Sequence, residues 1–133
     1  MGIFRPKLTK EEKALTRVLA RRGEQTVATI IAMRDTGERK ADGVVEVYEF
    51  TVEFTPAGGA APVRVTARAN MNEVTLTGLA EGEPVRVLYD PENPTQLLVQ
   101  QSPKYVAIRN PNVMFDGKMV IAVPVAEAEG QDL

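Results

Sequence analysis

The densest cluster of oxygen-bearing side chains in the sequence is Tyr89-Asp90-Pro91-Glu92-Asn93-Pro94. Asp90, Glu92 and Asn93 offer two carboxylates and an amide carbonyl, the donors that a hard cation such as Ca²⁺ takes, but an ion of that kind needs about six to eight oxygens and one turn supplies too few. The same residues have a local role: Asp90 can accept hydrogen bonds from the amides of its own turn, and the prolines lower the entropy of the unfolded chain. Ser102 and Lys104 have the types of a nucleophile and its base, yet two positions apart beside Pro103 their geometry is poor. Lys104-Tyr105 and Arg109-Asn110 read as solvated polar residues, and Gly58-Gly59 lacks the helix and Lys of a phosphate loop. The chain contains no Cys and no His. Disulfides, thiolate metal sites, a Cys nucleophile and an imidazole base are therefore excluded. The expectation is a protein that is not an enzyme and uses no cofactor and no metal.

Positive charge is the remaining chemistry. Arg64, Arg68 and Arg86, with the rings of Tyr48 and Phe50, have the types of a platform for single-stranded nucleic acid, which needs exposed rings beside cations. The charge distribution argues against that use. Residues 1 to 25 carry seven Lys or Arg against three Glu, whereas the remainder carries nine against fifteen acids. A nucleic-acid-binding body would itself be basic. Lys7, Lys10, Lys13, Arg17, Arg21 and Arg22 could instead meet an anionic membrane surface, although Glu11 and Glu12 interrupt them. The opening residues lack the apolar stretch of a secretory signal, and no run approaches the ~20 apolar residues that cross a bilayer. A cytoplasmic location is expected.

These side chains must be placed by a single core. The chain has 133 residues, 44% of them hydrophobic with few aromatics, enough for one aliphatic interior. Thr9-x-x-Glu12 has the form of a capping box, Gly23 is placed as a left-handed terminator, and acids then bases follow the order that suits a helix dipole. Leu15, Val18 and Leu19 fall on one face of this helix with Leu8 and Ala14, and should dock on the body of the chain, on a second copy or on another protein.

From Gln25 the pattern turns to strands. Gln25–Arg34 is β-branched and ends at the turn signal Asp35-Thr36-Gly37. Val44–Phe54 alternates Tyr48, Phe50, Val52 and Phe54 against Glu49, Thr51 and Glu53, and Val63–Ala69 alternates with Arg64, Thr66 and Arg68 outward. This pairing predicts cross-strand charge pairs on the solvent face. Asn72 can cap a helical turn ending near Gly78, and Val85–Tyr89 and Gln96–Gln100 form a second hairpin.

Three strands, a helical turn and two strands is the order of an OB-type barrel. The fold class expected is mainly β, a small five- to six-stranded antiparallel barrel with an N-terminal α-helix. The domains are residues 1–24, a basic helix; 25–100, the barrel; and 101–133, an extension with an acidic, disordered end from Ala126. Lys118–Val125 is apolar on both faces and is expected to add a sixth strand to a barrel edge or to be donated to a neighbour, which makes Val120 and Val123 protein-contact candidates along with Leu15, Val18 and Leu19. The function this suggests is a protein-interaction or scaffold module with a protein partner or a second copy as ligand.

The segment Leu76-x-x-Leu79-x-x-Gly82-x-x-Val85-x-Val87-x-Tyr89-Asp90-Pro91-x-Asn93-Pro94, together with Ala28-Thr29-Ile30, Thr36-Gly37 and Tyr48-x-Phe50-x-Val52, resembles the bacterial domain of unknown function 3592 family over about residues 24–100. The resemblance implies a small antiparallel β module without established activity, frequently attached to transmembrane helices. This chain departs from that pattern in having no apolar segment of such length.

Overall fold

The computed structural model describes residues 9–59, 61–109 and 120–125, with the side chains of 106–109 and 120–123 left aside. The expected disorder from Ala126, and the sequence features at residues 1–8 and 110–119, lie outside the described residues.

Helix α1 (Lys10–Arg22) starts as its sequence requires. Thr9 accepts from the Glu12 amide at 3.1 Å and donates its own amide to Glu12 Oε1 at 2.9 Å. Its end differs from expectation. Gly23 is extended, with φ −65° and ψ 142°, so a left-handed conformation is not what demands glycine here. A Cβ at this position would stand 2.6 Å from the Leu19 carbonyl oxygen and 2.9 Å from Leu88 Cγ. Close approach of helix and barrel sets the residue.

The barrel strands are β1 (Glu24–Lys40), β2 (Val45–Phe54), β3 (Val63–Met71), β4 (Pro84–Asp90) and β5 (Asn93–Val99). They form one antiparallel sheet in the order β3-β2-β1-β4-β5, and β3 lies beside β5, so the sheet nearly closes on itself. This is the OB-type arrangement expected. A short helix, α2 (Glu73–Leu76), follows β3 and is capped by Asn72, whose side chain accepts from the Thr75 amide at 2.9 Å. Leu76 and Leu79 pack against the core from this connection.

β1 is longer than its sequence suggests. Asp35-Thr36-Gly37 does not end the strand but bulges it: the ladder with β2 passes from Asp35↔Tyr48 to Arg39↔Glu46, so extra residues lie on β1. Asp35 holds the bulge together, accepting from the Gly37 amide at 2.8 Å and from both terminal nitrogens of Arg39 at 2.8 and 2.6 Å. Those bonds hold its carboxyl down at about 2, below the usual Asp range. The reversal comes later, in a 3₁₀ turn at Ala41–Gly43 where Ala41 and Asp42 take positive φ.

The core is aliphatic with a few rings. Ala28, Ile30, Phe50, Val52, Val65, Met71, Val85, Val87, Tyr89 and Leu97 are buried. β2 contributes Phe50, Val52 and Phe54 to this cluster as its alternation predicts, whereas Val45 and Val47 are also buried but outside it. The register with β3 is unbroken through Glu46↔Met71, so Val45 and Val47 lie on the strand's opposite face, where Val47 borders a hollow with Thr9 and Glu12 at the start of α1.

The C-terminal run corrects the expectation of a sixth barrel strand. β7 (Val120–Pro124) pairs antiparallel with β6 (Tyr105–Arg109), with Val123 opposite Val106 and Val120 opposite Arg109, as a separate two-stranded sheet near α2. The pairing lies within the chain and is extended by the Val125 amide, which donates to the Lys104 carbonyl at 2.7 Å. Tyr105, at the start of β6, lies against Gly78, whose positive φ of 81° and missing side chain leave room for the ring.

Two predictions follow from the barrel. Phe50→Ala, at a fully buried position, should cost about 3–5 kcal/mol in chemical denaturation. Asp35 has a lower pKa folded than unfolded, so its stabilising contribution is present above about pH 4 and fades as the pH falls toward 2. Denaturation curves of wild type and Asp35→Asn should therefore converge as the pH falls through that window, and parallel curves would refute the assignment.

Candidate functional site

The Asp90 turn is the first candidate, and the structure gives it a structural occupant. Asp90 is only 2% exposed. Its Oδ1 accepts from Arg22 Nε at 3.0 Å and from the Glu92 amide at 2.9 Å, while Oδ2 accepts from Arg22 Nη2 at 2.8 Å. Arg22 Nη1 also reaches Glu92 Oε2 at 2.5 Å. The guanidinium thus stands where a cation would have to stand. Arg22's hydrogen bonds, followed by those of the turn amides, hold Asp90 below the ordinary carboxylate range, and the same pairing raises Arg22. A two-point charge-assisted contact of this kind fixes orientation as well as distance. The end of α1 is thereby fastened to the β4–β5 turn.

Glu12 fastens the other end. Besides the Thr9 amide, it accepts from Lys40 Nζ at 3.2 Å and Asn70 Nδ2 at 2.9 Å. Burial alone would raise its pKa, but the Thr9 amide and Lys40 hold it below its ordinary value. A hollow of about 240 Å³ lies beside this contact, bordered by Glu11, Glu38, Val47 and Arg68. Between the two fasteners Leu19 is buried at 3% exposure and Leu15 and Val18 are half-buried, so the apolar stripe of the helix faces the chain's own body.

The opposite side of α1 is basic. At 3.6 residues per turn, Lys10, Lys13, Arg17 and Arg21 fall on one stripe about 16 Å long, turned away from Leu19. All four are exposed, and none has a carboxylate partner among the described residues. Arg22, counted with them from sequence, belongs to the inner face.

The proposed nucleic-acid residues separate in the fold. β2 and β3 pair in the expected register, Glu53↔Arg64, Thr51↔Thr66 and Glu49↔Arg68. Arg64 bonds Glu53 at 2.8 Å, and the two threonine hydroxyls are 2.8 Å apart. Arg68, however, turns to Glu38 at 2.5 Å because Arg34 of β1 takes Glu49 at 3.1 Å. Phe50 is buried and Tyr48 half-buried, stacked on it at 6.0 Å between ring centroids. The rings are in the core, and two of the three arginines are neutralised. Arg86 lies apart on β4, in a hollow with Gln25, Thr75, Gln100 and Gln101. Nor do Ser102 and Lys104 form a dyad: Ser102 Oγ accepts from the Lys104 amide at 3.1 Å, while Lys104 Nζ points to Glu83 at 3.2 Å.

A family model described as domain of unknown function (DUF3592) matches residues 26–103, more than half of the chain. The chain belongs to the DUF3592 family. No match was found among curated proteins or among solved structures. Among the described residues no helix is long and apolar enough to cross a membrane. The DUF3592 match begins inside β1, covers β2 to β5 and ends after Ser102, so the Asp90 turn and Arg86 lie within the family region, while Gln25 of the hollow stands just before it. Helix α1 lies before it. The Arg22 contact with Asp90 therefore joins a segment outside the family match to a turn inside it.

Sequence reasoning found the capping box and the Asp90 turn but missed what Arg22 does, since a contact spanning 68 positions leaves no local pattern. Replacing Asp90 by Asn should loosen α1 selectively. Amide exchange over residues 10–22 should rise markedly while β2 and β3 amides keep their protection, and uniform loss of protection would show that the contact holds the barrel itself.

Proposed function

We propose that this chain is a non-catalytic interaction module that presents helix α1 to a protein partner with an acidic surface. The observation that carries the reading is the outward stripe Lys10, Lys13, Arg17 and Arg21, four exposed cations held on a helix fixed at both ends to the barrel. Docking removes the helix's apolar residues from use as the contact and leaves charge. Contacts of this kind steer association and weaken with salt.

A membrane surface is the second reading, favoured by the same four charges at roughly 1 kcal/mol each against an anionic leaflet. An inserting amphipathic helix also needs a free apolar face, and Leu19 is covered by its own chain. That observation favours the protein partner.

Full-length chain should bind polyglutamate at low salt, lose the binding at high salt, and lose it in the Lys13→Glu, Arg17→Glu variant, whose exposed changes should alter stability by no more than about 0.5 kcal/mol. Co-sedimentation with phosphatidylserine vesicles but not polyglutamate binding would favour the membrane. Polyglutamate binding unaffected by the charge reversal would overturn the assignment to α1.

A further inference from the structure

Of the basic residues described in β1 to β5 and in the segment up to Lys104, Arg34, Arg39, Lys40, Arg64, Arg68 and Lys104 each meet a carboxylate within 4 Å. Within this set of described residues Arg86 is the exception. It is half-buried, on a strand whose neighbours Val85 and Val87 point into the core, so its side chain stands on the outer face of the barrel. The hollow around it, about 230 Å³, is lined by Gln25, Thr75, Gln100 and Gln101, with no acid among them. That is roughly the liquid volume of seven or eight waters, enough for a small organic ion or the end of a chain.

The lining leaves donors free. Gln25 Nε2 donates to Gln100 Oε1 at 2.7 Å, which orients the Gln100 amide and keeps its own NH₂ group unspent in that contact. Thr75 is occupied by its capping bonds to Asn72. The site therefore offers a guanidinium fork and glutamine amide hydrogens, and its backbone is fixed: the Arg86 amide donates to the Gln101 carbonyl and the Gln100 amide to the Arg86 carbonyl, both at 2.8 Å. Directly across the β1–β4 ladder from Arg86 is Val27, which is 50% exposed, and Ile31 farther along β1 is 36% exposed.

We infer that the Arg86 hollow binds a monoanionic carboxylate carried on an apolar body, the carboxylate on Arg86 and the glutamine amides and the body over Val27. A single guanidinium matches one negative charge, and its planar fork fits the two oxygens of a carboxylate. A phosphate dianion would leave charge uncompensated here. The inference uses none of the four cations assigned to the partner of α1 and does not depend on that assignment.

The probe is hexanoate, titrated into ¹⁵N-labelled full-length chain, with hexanamide as the uncharged control. Hexanoate should shift the amide and side-chain signals of Gln25, Arg86, Gln100 and Gln101, hexanamide should not, and Arg86→Gln should weaken the response at least about tenfold, the loss of a charge-assisted pair. The acid against amide contrast in wild type needs no variant and stands even where Arg86→Gln disturbs the fold. An apolar peptide with a free carboxy-terminus binding more tightly than both hexanoate and its own amidated form would assign the site to a chain terminus; hexanoate binding as tightly as the peptide would assign it to small acids. Equal shifts from hexanoate and hexanamide, no shift at tens of millimolar hexanoate, or stronger binding of inorganic phosphate at the same residues would overturn the inference.

Discussion

The structure depends on one strand serving two ladders. The first half of β1 pairs with β4 from Glu24 to Thr29, and its second half pairs with β2 from Thr29 to Lys40. Thr29 is shared, with Pro84 on one side and Glu53 on the other. Just beyond it the Ile30 amide and carbonyl bond Glu83 and Gly82, at 2.9 and 2.7 Å, where the chain turns into β4. A strand that holds one partner on each side along different stretches must coil, and coiling brings β3 round to β5. The irregularities on β1, between Ile30 and Ala32 and between Asp35 and Arg39, are where the bend is taken up.

Everything outside the barrel is fixed to it by polar contacts near its ends. Arg22 on Asp90 and Glu12 on Lys40 and Asn70 set the direction of α1, and the apolar burial between them is modest, with Leu19 alone fully enclosed. A helix held in this way keeps its outer face constant. The difference between a basic segment and a basic surface lies there, because only a fixed helix presents Lys10, Lys13, Arg17 and Arg21 together.

The DUF3592 match covers the barrel and stops short of both additions, α1 and the β6–β7 hairpin. Within the family region, the stretch Tyr89-Asp90-Pro91 is heavily committed structurally. Tyr89 is buried against Phe54, with ring centroids 4.9 Å apart, and its hydroxyl accepts from the Ala57 amide and donates to Glu24. Asp90 receives the helix. Much of this turn is thus spent on holding segments together, and the surfaces left for a ligand are elsewhere, on α1 and around Arg86.

The sequence by itself determined what is local: the capping box at Thr9, the period of two in β2 and β3 and their register, the Asn72 cap, and the self-satisfying Asp90 turn. Each depends on neighbours within a few positions or on a strict alternation, and both survive any arrangement of the rest. Tertiary structure decided what depends on distant partners competing for one group. Asp35-Thr36-Gly37 has turn chemistry but became a bulge, because β2 continues alongside it and Arg39 closes on Asp35. Gly23 is needed for the approach of Leu88 and not for its own dihedral angles. The apolar C-terminal run found its partner in β6, whose Tyr, Val and Ile favour a strand but do not by themselves say which strand it pairs with. Arg68, Arg64 and Arg86 are indistinguishable as outward arginines on strands; only the folded chain shows that acids reach two of them and leave the third with amides, since which carboxylate lies within reach is set by how the sheet coils.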